Sequence, residues 1–245
     1  MNTIRLGVAI LATGFCAMMA TGDESGDGLK TTLSLGGTLT RGNSETVQGN
    51  ATLAVEGEKT RLGSLRTGIE ANYGESVVDD ERSTTVDNAK FHANVRKTLS
   101  ERTFAYVAGS VLYDDIARID YRATVGPGLG VYLVKTDSAS LSVEAGSVYV
   151  WEEVDGLRDD YVAYRLAERF ELALSETSKL WQSAEYVPQA EDFKDYLITA
   201  ELGIEAAVNS RVNVRLVLQN KYDNRPAEDV EKNDLTLIAG IGVKL

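Results

Sequence analysis

Charged side chains recur at alternate positions of several apolar segments, a pattern that can build a network of ion pairs. Arg122, Glu144 and Arg165 alternate in sign on three successive segments, and Glu201 is followed by Arg215 in the same way. Unpaired charges are costly in a narrow interior, so we expect opposite signs on neighbouring segments to pair. The pattern predicts a lumen charge network made of Arg66, Glu70, Arg96, Arg122, Glu144, Arg165, Glu201 and Arg215.

Two interpretations of this network remain open. The first is an interior that ion pairs hold together, as buried charges generally require. The second is the lining of a narrow pore for small solutes or ions with a slight basic excess, because charged rings set the selectivity of pores.

Composition excludes several other kinds of site. The chain has 37 acidic and 25 basic residues, a net charge of −12, which argues against a nucleic-acid partner. One Cys and one His exclude a disulfide scaffold and most catalytic metal sites. We therefore expect no cofactor, no metal site and no catalytic residue. A hydrolase that uses His92 as its base stays open as an alternative, although no G-x-S-x-G motif is present.

The elements that position these charges are strands. From Lys30 onward, apolar and polar residues alternate with a period of two between turn signals, and most runs are long enough to cross a bilayer when tilted. Glu168 and Pro127 interrupt this pattern, the first by its phase and the second by its missing N–H. Twelve strands are predicted, at 31–40, 46–56, 62–74, 88–99, 103–113, 121–134, 140–151, 161–173, 178–187, 196–208, 212–222 and 234–245.

The predicted connections alternate between tight turns and longer acidic loops. The turns are expected at 57–60, 100–102, 136–139, 175–177 and 209–211, and the acidic loops include 75–87 and 152–160. The short connection 41–45 falls on the side of the long loops. An even strand number with this alternation is typical of an outer-membrane barrel. Carboxylates of the loops could bind Ca²⁺ or Mg²⁺ and bridge to lipopolysaccharide, an alternative that the sequence leaves open.

Aromatic residues concentrate at the strand ends that border the acidic loops. Amphipathic rings prefer the headgroup level of a bilayer, so a lipid-exposed barrel gathers them in a girdle. The predicted girdle contains Tyr73, Tyr113, Tyr121, Tyr149, Trp151, Tyr161, Tyr164, Tyr186, Tyr196 and Tyr222.

The first residues have the features of an export signal. Arg5 precedes an apolar stretch from Leu6 to Ala20 that is short for a membrane span. We expect a signal peptide at 1–20 and one β-barrel domain at 21–245. A soluble exported β protein is the alternative to the barrel.

The stretches 34–46 (SLGGTLTRGNSET), 180–208 and 222–245 resemble a family known as domain of unknown function 481. Its members are called YdiY-like or salt-induced outer-membrane proteins. The resemblance covers about residues 30–245 and implies an all-β, closed antiparallel transmembrane barrel in the outer membrane of a Gram-negative bacterium. The implied partners are outer-membrane lipid, lipopolysaccharide, the barrel assembly machinery, and small solutes or ions. It implies no established activity, and Leu245 departs from the terminal aromatic residue that such barrels usually present for assembly.

Overall fold

Twelve antiparallel strands form the whole of the described structure, as the alternating pattern predicts. The computed structural model describes residues 28–40, 45–59, 63–78 and 81–245. The predicted signal peptide and the connection at 41–44 lie outside these ranges. The strands are β1 (Gly28–Thr40), β2 (Glu45–Lys59), β3 (Gly63–Val78), β4 (Glu81–Thr98), β5 (Thr103–Asp114), β6 (Ile119–Lys135), β7 (Ala139–Val154), β8 (Leu157–Ala173), β9 (Ser178–Pro188), β10 (Tyr196–Ala207), β11 (Val212–Asp223) and β12 (Asn233–Lys244).

Each strand pairs with its neighbours in the chain, and β1 pairs with β12 to close a barrel. The β1–β12 ladder is short, joining residues 32–36 to 240–244, whereas β7 and β8 pair along 139–154 and 157–172. Within the described ranges, no helix has the length and apolar character of a membrane span.

The two ends of the barrel differ. One end, which we call the turn end, contains the connections 99–102, 136–138, 174–177 and 208–211. The opposite end, which we call the loop end, contains the longer connections 189–195 and 224–232.

Two of the predicted acidic loops are wrong. Residues 75–78 extend β3 and residues 81–87 extend β4, while β7 and β8 run through most of 152–160. Only Asp155 and Gly156 separate β7 from β8, and both have positive φ (52° and 74°), as a tight hairpin turn requires. At the turn end, the turn expected at 57–60 also proved wrong, because β2 continues to Lys59.

The apolar phase faces outward and the polar phase faces the lumen. Leu129, Leu202 and Leu237 are exposed on the outer surface, and Leu129 has a relative exposure of 63%. In water such a surface would be an aggregation hazard, whereas in a bilayer it is the expected lipid-facing band.

The two residues that broke the pattern keep their places on the outer face. The β8 register runs without a bulge past Glu168, whose carboxylate accepts a hydrogen bond from the outward-facing Gln182. Pro127 stays paired with Val107 of β5, whereas on the β7 side residues 126 and 127 have no ladder partner, although the register is the same at Val125 and at Gly128. The missing N–H of Pro127 thus coincides with a gap in the β6–β7 ladder.

Candidate functional site

The lumen contains a cavity of about 780 Å³ whose lining includes residues from both ends of the barrel. Lys30 and Lys244 belong to the turn end, and Asp223 and Asp234 belong to the loop end. Basic and acidic side chains line it in nearly equal numbers, so the slight basic excess expected from the sequence is absent from the described lining.

Glu144 joins two arginines in the half of the lumen near the turn end. Its Oε1 accepts a hydrogen bond from Arg96 Nη2 (2.5 Å), and its Oε2 accepts one from Arg165 Nη1 (2.7 Å). Arg165 Nε also donates to Glu185 Oε2 at 2.6 Å. The Glu144 side chain is only 4% exposed, so this carboxylate depends on its two partners for solvation.

Aromatic rings lie flat beneath the same arginines because glycines make room for them. A Cβ on Gly130 would lie 2.3 Å from the Phe104 ring, and a Cβ on Gly128 would lie 2.3 Å from the Tyr106 ring. The Arg96 guanidinium lies 4.7 Å from the Phe104 ring centroid, within the range of a cation–π contact. Phe104 is therefore a lumen residue.

Trp181 repeats this arrangement on another part of the wall. Its ring covers Gly203, and its Nε1 donates to Glu201 Oε1 at 2.5 Å. Gln219 Nε2 donates to the other oxygen of Glu201 at 3.1 Å. The Glu201 carboxylate is thus satisfied by two neutral donors.

Near the turn end, one ion pair joins strands that are five apart around the ring. Arg66 of β3 donates to Glu171 Oε1 of β8 at 3.0 Å and to Glu56 Oε1 at 2.9 Å. Arg169 Nε shares the same oxygen of Glu171 at 2.6 Å.

Near the loop end, two further ion pairs join distant strands. Arg122 of β6 bonds Glu152 on the adjacent strand and also reaches Asp223 Oδ2 of β11 at 3.2 Å. Lys221 of β11 lies 3.7 Å from Asp114 Oδ2 of β5, which is on the opposite side of the twelve-strand ring.

Between these levels the lumen is lined by Glu70, Lys90 and His92. Glu70 lies opposite Lys90 in the β3–β4 register, and His92 stands over Gly68, whose added Cβ would lie 2.8 Å from the imidazole Cε1. Among the described residues, Glu70 has no cation within 4 Å.

The predicted network is therefore only partly brought together. Glu144 and Arg165 pair, but Arg122 does not join Glu144 because its register partner on β7 is Glu152. Glu201 and Arg215 are also apart, since Gln219 is the residue opposite Glu201. Arg215 Nη1 instead donates to Ser34 Oγ at 3.3 Å.

The predicted network does not include the carboxylates that complete these contacts. They are Glu152, Glu171, Glu185 and Asp223. Glu171 has the correct phase in the sequence, but nothing local shows that its partner is 105 residues away.

Nine of the ten predicted girdle residues lie on the outward phase near the loop end. Neighbouring rings pack in pairs, with Tyr149 and Trp151 centroids 4.6 Å apart and those of Tyr186 and Tyr196 5.5 Å apart. Tyr161 is the exception, because it lies opposite the fully buried Val150 on the lumen phase. Its assignment to the girdle is wrong.

The two long connections at the loop end are tied together. Arg225 Nη2 donates to Asp192 Oδ2 at 2.6 Å, and Arg225 Nη1 lies 3.6 Å from Asp195 Oδ2. A hydrogen bond from the Lys194 backbone and one from Arg225 hold the pKa of Asp192 below its usual value, whereas burial raises the pKa of Asp195. Pro226 and Val230 of the second connection line the cavity, so this segment lies over its mouth.

In the described ranges, no three His, Cys, Asp or Glu side chains converge as a metal site would require.

Solved structures with the same architecture are outer-membrane proteins. An outer-membrane channel from Pseudomonas putida F1 aligns over 93% of this chain and 98% of its own, with a TM-score of 0.54 and 8% identity. The NanC porin aligns over 88% and 98%, with a TM-score of 0.51 and 9% identity. The translocator domain of the autotransporter NalP from Neisseria meningitidis aligns over 97% and 96%, with a TM-score of 0.49 and 13% identity. At these identities, the likeness to the channel and to the porin establishes the fold alone, a closed antiparallel β-barrel like those of bacterial outer-membrane proteins.

A comparison with curated proteins gives no match. A family model, by contrast, matches residues 33–245, from β1 to the last residue. The chain therefore belongs to the family described as protein of unknown function DUF481.

Proposed function

We propose that this protein is a narrow passive channel for small hydrophilic solutes or ions. The observation that supports it most directly is the cavity of about 780 Å³, which has charged lining residues at both ends of the barrel. A purely structural interior would use its ion pairs to fill the lumen, as smaller barrels do with side chains. Here the aromatic rings lie back against glycines, and the cavity leaves space for water and solute between the levels at which ion pairs cross the lumen.

The proposal includes a place for the barrel in the cell. The chain is exported by its N-terminal signal, inserted by the barrel assembly machinery, and resides in the outer membrane of a Gram-negative bacterium. The acidic loop end faces outside, where lipopolysaccharide surrounds it. The role is transport and not catalysis, since His92 lies within the lumen, away from the lipid face at which a lipid hydrolase would act.

Bilayer recording tests the channel directly. Purified protein in a planar bilayer should give reproducible unitary current steps, and a barrel that inserts but remains silent would overturn the proposal.

A pair of cysteine variants locates the conducting path. Ser110 faces the lumen beside Thr124, whereas Ser147 lies on the outward phase of β7. A membrane-impermeant thiol reagent should reduce the current of Ser110→Cys and leave that of Ser147→Cys unchanged. Equal effects on both variants would place the current outside the lumen.

A further inference from the structure

The ion pairs that join opposite walls show which solutes the lumen can accept. Arg66 and Glu171 are on strands five apart in a ring of twelve, as are Arg122 and Asp223. An ion pair between adjacent strands stays on one wall of the barrel, whereas these two pairs cross the lumen through which a solute would pass. We call Arg66–Glu171 the turn-end pair and Arg122–Asp223 the loop-end pair.

A solute that crosses the barrel meets both pairs. Arg66 lies three residues from the start of β3 at the turn end, and Asp223 is the last residue of β11 at the loop end. The loop-end pair is largely withdrawn from water, since the Arg122 and Asp223 side chains are 12% and 22% exposed, whereas the side chains of the turn-end pair are 31% and 41% exposed. Separating the partners without replacing their contacts is therefore costly.

The net charge of the solute decides whether those contacts are replaced. A simple anion can bind Arg122 but leaves Asp223 without its partner. A simple cation can bind Asp223 but leaves Arg122 without that partner. A solute with both an ammonium and a carboxylate can contact both residues at once. It exchanges one ion pair for two, whereas a neutral polyol replaces the pair only with weaker hydrogen bonds.

The middle of the lumen also presents both signs. Lys90 and Glu70 lie opposite each other in register, and Glu201 of β10 lies on the other side of the ring. Because basic and acidic residues line the cavity in nearly equal numbers, the lining as a whole has little net charge of either sign.

We propose that the channel prefers zwitterionic solutes of the amino-acid type, which pass by exchanging with the turn-end and loop-end pairs. This inference rests on the proposed channel function and names its solute class.

Proteoliposome swelling with four solutes of similar size tests the preference. Glutamine is zwitterionic with no net charge, and arabinose is neutral without charged groups. Glutamate has one additional negative charge, and lysine has one additional positive charge. Glutamine should enter about fivefold faster than the other three, the factor expected from one partly exposed ion pair. Equal rates for glutamine and arabinose would overturn the preference and leave the channel intact. Failure of all four solutes to enter would instead overturn the channel itself.

Single variants of the loop-end pair test its role. Under a KCl gradient the unmodified channel should have a reversal potential near zero. Asp223→Asn removes one negative charge from the lining, while Arg122 keeps its contact with Glu152, and should shift the potential toward chloride; Arg122→Gln removes one positive charge and should shift it toward potassium. Both variants should lose the preference for glutamine over arabinose.

Glu153→Gln provides the matched control, because Glu153 pairs with the exposed Arg158 on the outward phase of the wall. It should alter neither the reversal potential nor the solute preference. A strongly ion-selective unmodified channel, or shifts of the same sign in both loop-end variants, would contradict the proposal.

Discussion

Glu144 shows how much one lumen carboxylate can contribute to the stability of the barrel. Its two oxygens bind Arg96 and Arg165, both of which also stack on aromatic rings. The alternation of the sequence placed Glu144 and its partners on the correct face, because phase depends only on local residue order. It predicted the pair with Arg165 on the neighbouring strand but not the pair with Arg96, because β4 and β7 are three strands apart and no local pattern contains the distance across the ring.

Replacing this carboxylate tests its structural role. Glu144→Gln leaves two arginines without their shared counter-charge and should lower the free energy of unfolding by about 3–5 kcal/mol. Urea unfolding in detergent or lipid, followed by Trp fluorescence, measures the change.

The control is again Glu153→Gln, in an exposed pair that should contribute less than about 1 kcal/mol. Equal losses in the two variants would mean that Glu144 is hydrated and that its ion pairs contribute little.

At the scale of elements, glycines and aromatic residues face each other across neighbouring strands. Trp181 occupies the space above Gly203, and Tyr106 occupies the space above Gly128. The small residues thus set the distance between ring and wall, and with it the free width of the lumen.

Gly203→Ala should displace the Trp181 ring, since the new Cβ would lie 2.1 Å from it. We expect a loss of about 1–3 kcal/mol of stability, as overpacking commonly produces. Gly49→Ala is the control, because nothing lies within 4 Å of its Cβ position. Urea unfolding midpoints compare the two variants, and an unaffected Gly203→Ala would show that the ring moves freely.

The tie between the two long connections should depend on pH in two steps. The pKa of Asp195 is raised, so its contact with Arg225 should weaken first as the solution is acidified. The pKa of Asp192 is lowered, so its bond to Arg225 is fully present above the usual carboxyl pKa. The bond is lost only when the pH falls through the lowered pKa of Asp192.

Spin labels at Glu191→Cys and Glu228→Cys would report this tie as a distance between the two connections. The distance should widen on acidification, and Asp192→Asn should already widen it at neutral pH. If the labelled protein gave the same distance with and without Asp192→Asn at every pH, the tie between the two connections would be excluded.

The sequence predicted all twelve strands because lipid on one side and water on the other impose a strict alternation. It underestimated β4 and β8 because 81–87 and 157–160 extend past the girdle, where neither face is apolar and alternation disappears. One local signal was available, since Asp155-Gly156 is a typical two-residue hairpin turn. Tyr161 lies at the level of the girdle along its strand, but its side chain is on the lumen phase, so its position along the strand alone assigns it wrongly.

At the scale of the whole molecule, apolar residues form an outer band instead of a core. Among the described residues, buried hydrophobic side chains occur in small groups, such as Val148, Val150 and Ala163, and not as one cluster. Besides the lumen ion pairs, stability must therefore come from the backbone ladders and from lipid on the outer surface.

A barrel of this kind should remain folded in mild detergent until it is heated. The unheated protein should migrate differently from the boiled protein in gel electrophoresis, and it should be recovered with the outer-membrane fraction. Release with the periplasmic fraction would contradict the membrane assignment and restore the soluble alternative.

The short β1–β12 ladder has a consequence for how the ring forms and comes apart. Only residues 32–36 and 240–244 join the first strand to the last, so this joint has fewer backbone hydrogen bonds to lose than any long hairpin. We expect it to close last during insertion and to open first under load. The amides of Ile241 and Val243, which donate toward β1, should accordingly exchange with deuterium before those of 143–150, which lie in the longest ladder of the wall. The barrel is thus a series of stable hairpins that one weaker strand pairing closes into a ring.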